Sequence, residues 1–262
     1  RRSRLAAVQT GDYHAFTEEL RARLAGYARV IGLVAVGSMA ERDYAPDEWS
    51  DHDFFVIVRP GEQETLRTEL GWLPRRDRVA LSFRETEHGL KVLYDDGHLL
   101  EFAVFDLDEI ALASVNRYRV LLDRGQVEER TSLVRARPRP RPSDEYLFGM
   151  TVSAALVAAG RARRGEVLSA AFFLASALRH LASLLAGAVP SSTAAILDEF
   201  DPLRRFERAY PQLGSELAAI ARRAPEEAAL AVLDIAEREL RRRRPDLAWA
   251  GFDAVRARLQ PT

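Results

Sequence analysis

Apolar residues first fall at helical spacing. Tyr13, Phe16, Leu20 and Leu24 recur every three to four positions through residues 10–24, with polar residues between them, which predicts an amphipathic helix. Over 28–36 the text turns almost continuously apolar (Val30, Ile31, Leu33, Val34, Val36), the mark of a buried strand, and Gly37-Ser38 ends it. A polar stretch, 39–50, leads to a second strand over 51–58, stopped by Arg59-Pro60-Gly61. A short helix over 62–70 and a strand over 79–83 follow. Residues 91–94 and 99–105 then flank Asp95-Asp96-Gly97-His98, and an Asp-Gly pair tolerates the positive φ angles of a tight hairpin turn. Helical text resumes over 108–115.

The next feature is a boundary. Arg135-Ala136-Arg137-Pro138-Arg139-Pro140-Arg141-Pro142 alternates arginine with proline, which fixes φ and has no N–H to give a ladder, so the stretch is expected to be an extended linker. Ser143 has the character of a helix N-cap, with Asp144 and Glu145 in the first turn, where the helix dipole favours negative charge. Beyond it the pattern predicts helices alone, over 144–163, 165–187, 192–209, 213–223, 225–243 and 251–259. Pro190, Pro202, Pro211, Pro225 and Pro245 lie near their ends. The expectation is an α+β chain: a mixed β-sheet domain with helices over 1–136, then an all-helical bundle domain over 137–262. No internal repeat is present.

Residues 168–189 are apolar enough to raise the question of a membrane span. Arg179 and His180 stand at the middle, where charge in lipid is costly, and the alanines and serines suit close helix packing, so a bundle helix is expected. Arg1-Arg2-Ser3-Arg4-Leu5 is basic, but no apolar signal core follows it. A cytoplasmic protein with no membrane partner is the expectation.

Composition narrows the chemistry. With 47% hydrophobic and 29% charged residues in 262, the chain is of globular type. It has no cysteine, which excludes disulfides, thiolate zinc sites and cysteine nucleophiles. A formal net charge of −1 provides no global field for nucleic acid, so no nucleic-acid partner is expected. Lys91 is the only lysine among the 38 basic residues, which reads as a compositional bias toward arginine. The run Arg241-Arg242-Arg243-Arg244 is expected to serve a helix C-terminus and its solvation. Phe172-Phe173 is expected in the bundle core. The histidines at 14, 88, 98 and 180 show no metal spacing, and no P-loop motif exists.

The informative stretch is Ser50-Asp51-His52-Asp53-Phe54-Phe55-Val56-Ile57-Val58. Aspartate is a poor strand former, and two at i and i+2 leading into a very apolar strand is a costly local choice. Alternation puts Asp51 and Asp53 on one face, about 6–7 Å apart along the strand, and His52 on the other, where its role is expected to be structural. Like charges so placed repel unless a cation lies between them, and hard oxygen ligands suit Mg²⁺. Glu101 repeats the logic inside the apolar run Leu99-Leu100-Glu101-Phe102-Ala103-Val104-Phe105. If a neighbouring strand brings it beside the aspartates, three carboxylates hold one or two Mg²⁺ ions for displacement at phosphorus. Gly37-Ser38, closing the first strand, is the place where a phosphate can approach backbone.

Together, Gly37-Ser38 followed 13 residues after Ser38 by Asp51-x-Asp53, with a later strand carboxylate, resembles the nucleotidyltransferase superfamily related to DNA polymerase β. Within it the chain most resembles the aminoglycoside 6-adenylyltransferases that act on streptomycin. The resemblance extends to the Asp95-Asp96-Gly97 hairpin, Val120-Leu121-Leu122-Asp123, Arg164-Gly165-Glu166 and Arg244-Pro245-Asp246. It implies an N-terminal nucleotidyltransferase domain and an acceptor-binding helical domain. It also implies a Mg²⁺ site at Asp51, Asp53 and Glu101 and a nucleotide-binding pair at Gly37 and Ser38. The implied reaction moves AMP from ATP to a hydroxyl of a small molecule such as an aminoglycoside. The alternatives are a protein or other small-alcohol acceptor, and a catalytically silent nucleotide-binding regulator. The family's helical domain offers a carboxylate base six residues after the glutamate that Glu166 matches; here that position is Phe172. The base role then falls among Glu166, which is taken first, Glu101, Asp144 and Glu145. Asp95, Asp96, Asp106, Asp108 and Glu109, with Asp144 and Glu145, are available to line an acidic cleft for a cationic acceptor.

Overall fold

The computed structural model describes residues 10–40 and 46–260. The basic residues 1–5 and part of the polar stretch 39–50 lie outside the described residues. The chain divides into two units, Arg1–Pro138 and Arg139–Thr262.

The first unit is built on a six-stranded mixed sheet. Its strands are β1 (Val30–Val36), β2 (His52–Val58), β3 (Val79–Arg84), β4 (Gly89–Tyr94), β5 (Leu99–Phe105) and β6 (Tyr118–Asp123). They lie in the order β3-β4-β5-β2-β1-β6. Every neighbouring pair is antiparallel except β2 with β5, which run parallel at the centre of the sheet. The near-continuous apolar text of β1 and β2 follows from that position, because both faces of these strands are covered.

One face packs on α1 (Thr10–Ala25), whose Tyr13, Phe16, Leu20 and Leu24 form the buried stripe its spacing predicts. Phe54, Val56, Val92, Leu100 and Phe102 meet it from the sheet, together with Trp72 from the segment after α2 (Gln63–Thr68). The opposite face carries a smaller core of Val34, Ile57, Ala103 and Phe105, closed by Ile110 and by Val127 of α3 (Val127–Arg135). The β4–β5 hairpin turns as its Asp-Gly pair requires. Gly97 has φ +88°, its N–H donates to Tyr94 O at 3.0 Å, and the His98 N–H donates to Asp96 Oδ1 at 3.1 Å.

The second unit holds α4 (Asp144–Arg163), α5 (Val167–Ala188), α6 (Phe206–Ala209), α7 (Pro211–Ile220), α8 (Pro225–Leu240) and α9 (Trp249–Leu259). Ser143 caps α4 as expected, its Oγ accepting from the Tyr146 N–H at 3.2 Å. Small residues on α4 (Ala154, Ala155, Ala158) and α5 (Ala170, Ala177, Ala182) are fully or almost fully buried, which lets the helices approach closely. Among the described residues, α5 is one helix long and apolar enough to cross a membrane. Its Leu174, Leu178, Leu181 and Leu185 belong to the helical core.

Three expectations are corrected. The helix over 108–115 is only a 3-10 turn, Glu109–Leu112, because the Asp106 carboxylate accepts the N–H groups of Asp108 and Glu109 at 2.9 and 2.8 Å. The stretch after it forms β6 and α3, neither of which the pattern singled out. The helix over 192–209 is broken. Asp198 accepts the N–H groups of Phe200 and Asp201, Asp201 accepts that of Leu203, and Arg205 takes φ +66°. Phe172 is not core: it stands 70% exposed on α5, while Phe173 packs against the core edge.

Candidate active site

The parallel pairing of β2 with β5 is what assembles the acidic cluster. Parallel neighbours start at the same end of the sheet, and the register sets Asp53 beside Glu101. Paired residues on adjacent strands point to the same face, with strands about 4.8 Å apart. Asp51, just before β2, joins them by alternation. One carboxylate oxygen from each of Asp51, Asp53 and Glu101 lies within 4.8 Å of the others, and all three residues are half-buried. Three anions this close raise one another's energy, and a divalent cation removes that cost. The donor set is all carboxylate oxygen, which fits a hard ion such as Mg²⁺ and not a soft one.

The turn after β1 is shaped around Asp53. Residues Gly37–Ala40 form a 3-10 turn, and Gly37 takes φ +55°. A Cβ there would lie well inside contact distance of Asp53 Oδ2. Only glycine meets both conditions.

Ser38 lies behind the cluster. It is 5% exposed, and its hydroxyl donates to the carbonyl oxygen of Asp51 at 2.8 Å. The Tyr13 hydroxyl lies 2.9 Å from Ser38 Oγ and donates to the same carbonyl at 2.9 Å. The side chain of Ser38 therefore ties the turn to the start of β2. It is engaged with protein groups.

His52 points away from the aspartates, as alternation requires, and is fully buried. Its Nδ1 lies 2.7 Å from His98 Nε2, its Nε2 lies 3.0 Å from Thr17 Oγ1, and its ring stacks on Tyr13 at 3.8 Å between centroids. Burial first, then the neighbouring His98, lowers the His52 pKa to about 3, while burial lowers that of His98 to about 4. Both rings are neutral at physiological pH. The network runs from the hairpin turn through α1 to Ser38.

Lys91 is the residue that sequence reading passed over. On β4 it pairs in register with Glu101, and its Nζ lies 2.9 Å from Glu101 Oε1 and 3.0 Å from Glu85 Oε1. Hydrogen bonds to Glu101, then to Glu85, push its pKa up. Composition marks it as a remnant of arginine bias; the structure sets this one lysine at the acidic cluster. Its uniqueness was the available signal.

Glu166 belongs to the second unit, at the N-cap of α5, and pairs with Arg161 and with Arg164, the latter at 3.0 Å. The Arg161 guanidinium, and Arg164 after it, hold its carboxyl below the usual range. That is the environment of a structural ion pair. Several acids expected to line a cleft are also engaged locally: Asp95 and Asp96 with Arg78, Asp106 with Gln63, Glu109 with Arg67, and Asp144 with Arg141 and Arg244. Glu145 is exposed. In the basic run after α8, Arg241 pairs with Glu237 and Asp253, Arg243 with Glu239, and Arg244 with Asp144 and Asp246.

No family model matches the chain, and no curated protein matches it in sequence. Among solved structures it is similar to an aminoglycoside 6-adenyltransferase from Bacillus subtilis, at 11% identity and TM-score 0.36, over 92% of this chain and 95% of that one. It is also similar to a nucleotidyltransferase-like protein from Exiguobacterium sibiricum, at 15% identity and TM-score 0.31, over 94% and 75% of the two chains. A third likeness is to a CD-NTase of Bradyrhizobium diazoefficiens in complex with GTP, at 14% identity and TM-score 0.27, over 97% and 88%. With TM-scores below 0.5 these likenesses decide nothing by themselves. The case for function rests on Asp51, Asp53, Glu101 and the turn at Gly37.

Proposed function

We propose that this chain is a Mg²⁺-dependent nucleotidyltransferase that moves AMP from ATP to a hydroxyl of a small molecule, an aminoglycoside such as streptomycin being the first candidate. The observation that carries the reading is the meeting of Asp51, Asp53 and Glu101 within 4.8 Å at the start of two parallel strands. Gly37, whose missing side chain makes room for the Asp53 carboxylate, supports it. Three carboxylates gathered this closely repel one another, and a divalent ion between them relieves that repulsion, which is the pattern of a site kept for a ligand.

In this reading Asp51 and Asp53 would hold the ion, and Glu101 would complete the site or orient the acceptor. The ion supplies charge neutralisation for the phosphates. The turn at Gly37-Ser38 lies beside the triphosphate; since the Ser38 hydroxyl is engaged with Asp51 and Tyr13, its contribution is to hold the turn in shape. The acceptor oxygen forms a bond to the α-phosphorus as the bond to the bridging oxygen of the β-phosphate breaks. The acceptor proton is released and pyrophosphate leaves. The chain contributes chiefly position and charge. Glu166, the first candidate for a base from the sequence pattern, is a weaker acceptor of protons because two arginines favour its charged form.

The test is incubation with Mg²⁺ and ATP labelled at the α-phosphate, against a panel of aminoglycosides. Transfer of label with release of pyrophosphate, lost in Asp53→Asn, is the expected result. Absence of pyrophosphate release with every acceptor defeats the reading. Phe172 favours a second class of acceptor: it is exposed where the family pattern places a carboxylate. Label appearing only on protein supports that class.

A further inference from the structure

The register across three strands sets Asp53, Glu101 and Lys91 in one row, with Glu101 in the middle strand. Asp53 and Lys91 therefore flank Glu101 from opposite sides, on the same face of the sheet. The Lys91 ammonium hydrogen-bonds Glu101 Oε1 and is held from its other side by Glu85. It is the only lysine in a chain whose other basic residues are all arginine. The two cations differ in what they do here. A guanidinium is a wide planar fork that claims both carboxylate oxygens, whereas an ammonium is a compact point charge that satisfies one oxygen. A second divalent ion on the outer side of Glu101 would have to share that space with a fixed positive charge at hydrogen-bond distance.

We propose that Lys91 takes the place of a second metal ion beside Glu101, so that the acidic cluster binds a single divalent ion. Lys91 is then a positioning residue. It neutralises one side of Glu101 and leaves the other for the ion shared with Asp51 and Asp53. The inference rests on the metal-centre reading above and makes a statement that reading leaves open, the number of ions.

The experiment is titration of the full chain with Mn²⁺ alone, followed by electron paramagnetic resonance of the free ion, without nucleotide or acceptor. Asp53→Asn serves as the reference, so that only ions lost with that change are counted. The wild-type chain is expected to bind one ion at the cluster. Lys91→Met, similar in length and uncharged, is expected to bind two, with Lys91→Gln as the second variant if the first fails to fold by circular dichroism. Lys91→Arg keeps the charge and is expected to bind no more than one ion, more weakly, because the guanidinium claims both Glu101 oxygens. Two ions in the wild type, or one in a folded uncharged variant, overturns the role of Lys91 while leaving the metal centre standing. No ion in the wild type overturns both.

Discussion

The backbone at Gly37 occupies the space where a side chain would strike the carboxylate of Asp53. The turn that closes β1 and the aspartate that opens the site are thus one steric unit, although they lie 16 positions apart in sequence. Gly37→Ala meets two obstacles, the left-handed φ of +55° and the Asp53 oxygen. Adopting that φ with a Cβ costs about 1–2 kcal/mol. We expect a lowered melting temperature together with loss of Mn²⁺ affinity, because Asp53 must move aside. Unchanged affinity in the alanine variant would show that the carboxylate relaxes without leaving its partners.

Asp53→Asn separates a binding site from a structural pair. A ligand that binds only the folded chain raises the melting temperature by mass action. Mg²⁺ is expected to raise it in the wild type and to leave the variant unmoved, while transfer falls by at least about 10²-fold, the scale of losing one preorganised electrostatic partner. Equal Mg²⁺ shifts in both proteins would place the ion elsewhere.

Tyr13 and Ser38 share one acceptor, the carbonyl of Asp51. Each hydrogen bond contributes about 1 kcal/mol net. Because both act on one atom and on each other, Tyr13→Phe and Ser38→Ala should be non-additive in a double-mutant cycle of urea denaturation. Additive losses would mean that the two hydroxyls hold the turn independently.

His98 ties stability to pH. Burial depresses its folded pKa from 6.5 to about 4, so the folded chain resists the proton that the unfolded chain accepts. Its stabilising effect is full above pH 6.5 and drains away as pH falls toward about 4. The loss is on the order of 3 kcal/mol, at about 1.4 kcal/mol for each pKa unit. Comparing wild type with His98→Asn by denaturant titration across that window should reveal a steeper pH dependence in the wild type. Parallel curves would remove His98 as the cause.

The candidate carboxylates could be picked out from local sequence alone. Two aspartates spaced i, i+2 ahead of Phe54-Phe55-Val56-Ile57-Val58 are costly enough locally to announce themselves, and Asp95-Asp96-Gly97 announces its turn, because both signals are properties of neighbouring residues. The N-cap at Ser143 and the long helices after it were legible for the same reason. The segments misjudged were those where local text is ambiguous. In β6, Tyr118 to Leu122 are only half-buried at a sheet edge, and α3 buries just Val127, Thr131 and Val134. At 192–205, side chains of Asp198 and Asp201 compete for the N–H groups that a helix would use.

What the sequence determined on its own was periodicity, turn chemistry and the presence of unfavourably placed charge, since each depends on contacts within a few residues. Tertiary structure alone decided that β2 and β5 run parallel in a register matching Asp53 to Glu101, that Lys91 lies on the far side of Glu101, and that Ser38 faces inward to Tyr13. Tyr13 and Ser38 lie 25 positions apart, and Asp53 and Glu101 lie 48 apart. These relationships follow from how strands order themselves around two hydrophobic cores, a choice made by burial of the whole sheet rather than by any stretch of chain.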